Sequence, residues 1–382
     1  MIGTLIARLN AFRLLCSHKL RGGADGRMQG LDALRGLAAL IVVAYHYTCG
    51  YPLLVKTPHD ALWLTVPLPA LGVQIFFVIS GFVIFMTLER SRSGMDFFMS
   101  RFARLYPPFL FCMLLTATVV FGTGFNPETI NGWDVVMNLP LVVGLLSKTY
   151  VDPSYWTLTI EVCFYAWIAL FYYYVQQRYV ASGRDSFERV LGNPLLLALL
   201  GWLLLDLAGR TFYEDMYSRM ALALNFQYGH LFVAGVAVYG LSRGRLAVPL
   251  LILALAVGIG SMPQAGQFSP GGAAKVLCIV GMIWAGSRLR LSGALARWAS
   301  FLGGISYSLY LLHQILGFAI IHHLETAGLN TNLAMLAALA CVIGLAAASR
   351  RWIEVPSQRW LLGAYAARKL AAGVAPLRAG PA

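Results

Sequence analysis

Long apolar runs separated by short polar segments are the dominant pattern of this chain. Each run is near or above about 18 residues, the length that a helix needs to cross a hydrocarbon core. The pattern therefore predicts an all-α, polytopic membrane helix bundle of about ten transmembrane helices. Three of the runs are short, so the assignment of their ends, or of one whole span, stays open. The runs are 31–50, 71–89, 104–123, 154–176, 194–208, 223–241, 246–262, 272–287, 299–322 and 331–350.

The composition and the position of the basic residues agree with this interpretation. Of the 382 residues, 59% are hydrophobic and 12% are charged, about half the charged share of a soluble domain. With the N-terminus in the cytoplasm, most of the 29 basic residues fall in cytoplasmic segments, which predicts an N-in/C-in topology by the positive-inside rule. The outer loops hold only Lys56, Lys148, Arg210 and Arg219. The net charge of +13 then reflects contact with membrane lipids, and nucleic acid is not expected as a partner.

The ends of the chain differ from its hydrophobic body. Residues 1–28 form a basic, weakly amphipathic leader that an interfacial, cytoplasmic helix would explain. Residues 29–362 hold the membrane domain, and 363–382 are Ala-, Gly- and Arg-rich, which predicts a flexible cytoplasmic tail. The outer segment 124–153 is expected to cover the site and contact a glycan. The six cysteines show no disulfide or metal spacing, so no metal site is predicted.

Ionisable residues in the first span are the strongest functional signal. Such side chains are costly at membrane depth and usually mark a pathway or a reacting centre. Arg35 opens the span, and His46 follows eleven residues later on the same helical face, roughly 16 Å further along the axis. Helical rise also places His46, His313 and Glu161 at similar depths, about 20–22 Å from the inner face. The sequence therefore predicts that three titratable side chains share one layer in the outer half of the membrane.

Five segments together closely resemble the bacterial membrane acyltransferase 3 family, whose members O-acylate surface and exported glycans. The segments, in chain order, are Leu31-Asp32-Ala33-Leu34-Arg35 followed by His46, residues 72–82 with Ser80-Gly81-Phe82, Arg101-Phe102-Ala103-Arg104-Leu105-Tyr106-Pro107, Trp156-Thr157-Leu158-Thr159-Ile160-Glu161, and Ser306-Tyr307-Ser308-Leu309-Tyr310 leading to His313. The resemblance covers residues from about 30 to 360.

The resemblance implies a ten-helix enzyme of the bacterial inner membrane. Such an enzyme takes an acyl group from cytoplasmic acyl-CoA and passes it to a hydroxyl of a glycan at or beyond the outer face. In this family the Arg and His of the first helix are needed for activity, and they correspond to Arg35 and His46. The paired arginines at the start of the third helix correspond to Arg101 and Arg104.

The residue types suit this chemistry. Neutral imidazole is the usual general base near pH 7, so His46 is the expected catalytic base, with Glu161 as its orienting partner or as a second base. An acetyl-His46 intermediate is the competing version. Arginine forks match phosphate oxygens, so Arg35, Arg101 and Arg104 are expected to bind acyl-CoA. His313 orients the acceptor, senses the same proton or is structural.

Several other residues are expected to support the site, each with a structural alternative. Asp32 is expected to pair with Arg35. Ser80 either belongs to a small-residue face that lets helices approach closely or borders the path of the acyl donor. Trp156 fits either the aromatic belt or acceptor binding. Tyr106 and Tyr307 complete the arginine and histidine motifs.

Two alternatives to direct transfer stay open. One is a polytopic transporter or exporter of a glycan or lipid, although no inverted repeat is visible. The other is a subunit that delivers acyl groups to a separate periplasmic transferase. No permanently bound cofactor is expected; the donor is acyl-CoA, with acetyl-CoA as the default. The expected partners are a glycan or lipid-linked oligosaccharide acceptor, membrane lipids and glycan-assembly proteins.

Overall fold

The computed structural model describes ten segments of the chain, and every regular element in them is a helix. Apolar runs form helices because a helix satisfies its own backbone hydrogen bonds in lipid. The described segments are 28–55, 61–68, 70–125, 127–146, 149–179, 194–212, 219–226, 228–245, 247–260 and 269–372. The helices are α1 Gln29–Tyr45, α2 Tyr51–Leu54, α3 Leu71–Arg90, α4 Gly94–Thr123, α5 Gly132–Met137, α6 Trp156–Tyr179, α7 Pro194–Phe212, α8 Arg219–Leu224, α9 Gly229–Ser242, α10 Ala247–Gly260, α11 Pro270–Gly286, α12 Gly293–Leu312, α13 Ile315–Thr326, α14 Thr331–Ser349 and α15 Val355–Ala371.

The helices confirm a multi-pass membrane protein, but not the predicted count of about ten spans. Within the described segments, six helical stretches are long and apolar enough to cross a membrane, and the bent pair α12–α13 supplies a seventh when counted as one span. Two of the three runs left open by the sequence correspond to shorter apolar helices, Leu197–Gly209 and Pro270–Gly286. The N-in/C-in orientation remains a prediction.

Close helix crossings form the centre of the bundle. Helix α1 packs along α12 and against α3, and α3 packs along α9. Where α3 crosses α9, a Cβ added to Gly81 would lie 2.0 Å from the carbonyl oxygen of Phe232. A Cβ added to Gly235 would lie 2.1 Å from the carbonyl oxygen of Val78. Only glycine allows this backbone approach. The packing role predicted for the Ser80–Gly81 face is confirmed at Gly81.

Three irregularities interrupt these helices at polar residues. Helix α1 continues as a π-helical segment, His46–Gly50, and α14 continues as a second one, Arg350–Glu354, whose last residue is buried. Between α12 and α13 the chain bends by 72° at His313 and Gln314. Wide helical turns are frequent at functional sites, and two of these three interruptions carry the histidines singled out by the sequence.

Part of the C-terminal segment is helical. Helix α15 continues through residues 363–371, the first part of the segment predicted to be a flexible tail. Lys369 Nζ lies 2.8 Å from Asp96 Oδ1, and the Tyr365 hydroxyl donates to the same carboxylate at 2.7 Å, so contacts with α4 hold the end of the helix. The predicted leader falls almost wholly on residues 1–27, which lie outside the described residues.

Candidate active site

An open cavity lies among helices α1, α3, α4, α6 and α12. Its empty space, including the open solvent at its mouth, is about 770 Å³. Apolar side chains of α3 form much of its wall. The polar lining residues are Arg35, Ser80, Arg101, Arg104, Thr157, Glu161, Tyr165, Ser306, Tyr307 and Tyr310. The structure therefore brings together the three arginines that the sequence assigned to the acyl donor. We call this space the arginine cavity.

Two of the three cavity arginines make no direct ion pair among the described residues. Arg35 Nη1 lies 4.0 Å from Asp32 Oδ1, the pairing expected from the sequence. Within the described segments, no carboxylate lies within ion-pair distance of the Arg101 or Arg104 guanidinium. The Nε of Arg101 is buried without a hydrogen-bond partner. Guanidinium groups in this state present donors to an anion.

Glu161 belongs to the arginine cavity rather than to the histidines. Its carboxylate accepts from the Ser80 hydroxyl at 2.8 Å and from the Tyr165 hydroxyl, and it lies close enough to Arg35 and Arg101 to interact with their charges. The hydrogen bonds of His46 go elsewhere. The position of a residue along a helix axis does not determine which way its side chain points around that axis. Depth alone therefore grouped Glu161 with His46.

His46 and His313 form a direct pair. Nδ1 of His46 lies 3.2 Å from Nε2 of His313, and the ring centroids are 4.8 Å apart. Nδ1 of His46 also lies 2.9 Å from the Val42 carbonyl oxygen, and Nδ1 of His313 lies 2.6 Å from that of Tyr310. The structure thus places in contact two of the three residues predicted to share a layer.

The hydrogen-bond network assigns the tautomer of each ring. A carbonyl oxygen only accepts, so His313 carries its proton on Nδ1 and a lone pair on Nε2. Both neighbours of His46 Nδ1 are then acceptors, so this nitrogen carries a proton as well. The Nε2 of neutral His46 is left with a lone pair, which is the form that a general base needs.

Tyr310 connects the histidine pair to the arginine cavity. Its side chain lines the cavity, and its ring centroid lies 5.4 Å from that of His313 and 5.9 Å from that of Phe76. The two histidines themselves do not line the cavity. A ligand in the cavity would therefore approach the histidine pair past Tyr310 and Phe76.

The remaining predicted residues divide into two groups. Ser80 and Tyr307 line the cavity, and the Tyr307 hydroxyl donates to the Leu105 carbonyl at 3.0 Å. Tyr106 stacks on Phe102 with centroids 4.9 Å apart, and Trp156 packs against Phe77 and Tyr228. Neither Tyr106 nor Trp156 lines the cavity. Across the described segments, no cluster of three His, Cys, Asp or Glu side chains could hold a metal ion.

Asp152 is a buried acid that the sequence reasoning missed. Its Oδ1 accepts from the Ser154 backbone N–H at 2.9 Å and from the Ser154 hydroxyl at 2.6 Å. Its Oδ2 accepts from the Ile315 N–H at 2.9 Å, and burial raises the pKa of this carboxyl to about 6. The Asp152-Pro153-Ser154 sequence just before the tryptophan motif is a turn signal, but it does not reveal a contact with α13.

Comparisons with known proteins show that this chain is similar to acyltransferases. Over 158 residues the chain is 30% identical to the acyltransferase MdmB of Streptomyces mycarofaciens, covering 40% of this chain and 41% of that protein. Over 163 residues it is 31% identical to the O-acetyltransferase OatA of Staphylococcus aureus, covering 36% of this chain and 23% of that protein. The matches thus span less than half of each of these relatives. No solved structure matches. A family model described as an acyltransferase domain matches residues 28–351, so the chain belongs to the acyltransferase 3 family.

Proposed function

We propose that this protein is an O-acyltransferase of the bacterial inner membrane. It transfers an acyl group, acetyl by default, from cytoplasmic acyl-CoA to a hydroxyl of a cell-surface or exported polysaccharide or glycolipid. Family membership and the likeness to a relative named as an O-acetyltransferase support the reaction class. The observation that carries the proposal is the contact of His46 Nδ1 with His313 Nε2, 3.2 Å apart, near a cavity lined by three arginines.

His46 acts as the general base. Its Nε2 takes the proton of the acceptor hydroxyl while the hydroxyl oxygen bonds to the thioester carbonyl carbon. The C–S bond then breaks, the new ester leaves, and the CoA thiolate receives the proton from His46. His313 Nε2 accepts from the Nδ1–H of His46 throughout, so the positive charge that develops on His46 has a partner.

The arginine cavity binds the donor. CoA carries several phosphates, and Arg101 and Arg104 have guanidinium donors to offer them. The pantetheine arm then extends past Tyr310 and brings the thioester to His46. Glu161 keeps the like charges of Arg35 and Arg101 together, with its carboxylate fixed by Ser80 and Tyr165.

Contacts between helix ends support the cytoplasmic orientation of the arginine side. The end of α3 meets the segment after α9, where Arg245 Nη1 lies 2.8 Å from Glu89 Oε1. The start of α4 meets α15 through Asp96 and Lys369. These ends carry most of the basic residues of the described chain, which the positive-inside rule assigns to the cytoplasm.

Radiolabel transfer tests the proposal. Membranes with wild-type protein and [14C]acetyl-CoA are expected to place alkali-labile label in the glycan fraction, and His46→Ala is expected to place none. His323→Ala is the matched control, because His323 is exposed and bonds only to its own helix, at the Ala319 carbonyl. Equal labelling by wild type and His46→Ala would contradict the role of His46. Absence of label in both, with folded protein, would favour the transporter or delivery-subunit alternatives.

A further inference from the structure

The turn just before α6, residues 152–155, holds the break that carries His313. The break leaves the first N–H groups of α13 without carbonyl partners in their own helix. Asp152 Oδ2 accepts from one of them, the Ile315 N–H, at 2.9 Å. A carboxylate at a helix N-terminus is favoured by the helix dipole. The other oxygen of Asp152 accepts twice from Ser154, so both ends of this fully buried carboxylate are tied.

The same turn also contacts the residues that precede the break. The Tyr155 hydroxyl donates to the Leu311 carbonyl at 3.2 Å. The Tyr310 hydroxyl donates to the Ser154 carbonyl at 3.1 Å. His313 is therefore flanked on both sides by hydrogen bonds from one short turn, which fixes the last residues of α12 and the first residue of α13 relative to each other.

We propose that Asp152 is a positioning residue for acyl transfer. It holds the bend between α12 and α13 so that His313 Nε2 stays against His46 Nδ1 and keeps the lone pair of His46 on Nε2. Ile315 lies two residues after His313, so movement of the α13 N-terminus moves the His313 ring. This inference rests on the proposed function of the histidine pair.

Two variants separate positioning from structure. In Asp152→Asn the single side-chain oxygen can still accept from the two Ser154 donors. The amide NH₂ then faces the Ile315 N–H, and because both groups are donors this hydrogen bond is lost. Ser154→Ala is the matched control, because it removes only the hydroxyl donor and leaves the Ile315 contact. Per folded molecule, Asp152→Asn is expected to lower kcat about tenfold or more, as small misplacements in active sites do. The KM for acetyl-CoA should stay within about twofold, because the arginine cavity is untouched.

Hydrogen exchange reports the link without an activity assay. Asp152→Asn should speed exchange of the Ile315 amide, and Ser154→Ala should not. Tyr155→Phe, which loses the bond to Leu311, is the second variant if Asp152→Asn does not fold, and it should lower kcat about threefold at constant KM. Wild-type kcat in the folded variants overturns the inference. If His46→Ala is inactive in the same assay, the proposed function stands despite that result. Absence of transfer by the wild type overturns both.

Discussion

The arginine cavity and the histidine pair are neighbours, but the cavity presents charged side chains whereas the pair consists of neutral, hydrogen-bonded rings. In the cavity, Arg101 and Arg104 keep guanidinium groups with no carboxylate within ion-pair distance among the described residues, and Arg101 Nε has no hydrogen-bond partner. In the pair, the network accounts for both nitrogens of His313 and leaves one lone pair on His46. Guanidinium groups without a direct ion pair suit the binding of an anionic donor, whereas a neutral imidazole suits the removal of a proton. Substitutions in the two regions should therefore affect different kinetic constants.

The largest expected difference between the effects on KM and on kcat comes from substitutions in the arginine cavity. Arg101→Gln combined with Arg104→Gln should raise the KM for acetyl-CoA about 100-fold or more, because each charge-assisted hydrogen bond contributes about 1.5–3 kcal/mol. The kcat at saturating donor should change far less. Steady-state kinetics on purified protein checks this, with exposed Arg92→Gln as the control. A KM that stays near the wild-type value would remove the donor role of the cavity.

The histidine pair should show the opposite behaviour. His313→Ala should lower kcat about 10-fold to 100-fold at unchanged affinity for acetyl-CoA, because His46 loses the acceptor that sets its tautomer. Equilibrium binding of acetyl-CoA and single-turnover transfer measure the two effects separately. Weaker donor binding together with an unchanged rate would assign His313 to the donor site instead.

Glu161 tests the border between the regions. Glu161→Gln keeps an oxygen for the Ser80 and Tyr165 donors but removes the negative charge beside Arg35 and Arg101. The KM for acetyl-CoA should change by about threefold to tenfold, with kcat within about threefold of wild type. A decrease in kcat of about two orders of magnitude at constant KM would instead indicate that Glu161 is a catalytic base, the role suggested by its predicted depth in the membrane.

The raised pKa of Asp152 predicts a stability that depends on pH. The pKa of Asp152 is about 6 in the folded protein, above the value of about 3.9 in an unfolded chain. Its protonated form therefore favours the fold, and this contribution, about 3 kcal/mol, is complete below about pH 4 and is lost as the pH rises through about 6. The melting temperature of wild type relative to Asp152→Asn should fall across that range. A difference that does not vary with pH would contradict the raised pKa.

Much of the helical framework can be predicted from hydrophobic runs, since α1, α3 and α6 begin within two residues of three of them and α4 ends with a fourth, although it begins ten residues earlier. The break between α12 and α13 cannot, because the hydrophobic run 299–322 continues on both sides of His313 and Gln314 and reads as one span. The acceptor for the freed Ile315 N–H is Asp152, which lies 163 positions earlier in the chain. A contact between residues so far apart leaves no local signal in the sequence.

The candidate site shows the same division. Helical rise places His46 and His313 at similar depths, and in the structure the rings are in contact. Rise alone could not separate Glu161 from them, because its direction around α6 depends on bonds to Ser80 and Tyr165. The tautomer of His46 also depends on tertiary partners, the Val42 carbonyl and His313. Residue type and depth can thus be inferred from one sequence, whereas orientation requires the packed bundle.

Acyl transfer across sealed membrane vesicles tests the central claim most directly. [14C]acetyl-CoA is supplied only on the side that carries the basic helix ends, and alkali-labile label is counted in glycan on the opposite side. The account predicts label with wild type and His323→Ala and none with His46→Ala, at matched protein abundance. Label that depends on donor at the opposite side, or that persists in His46→Ala, would contradict it.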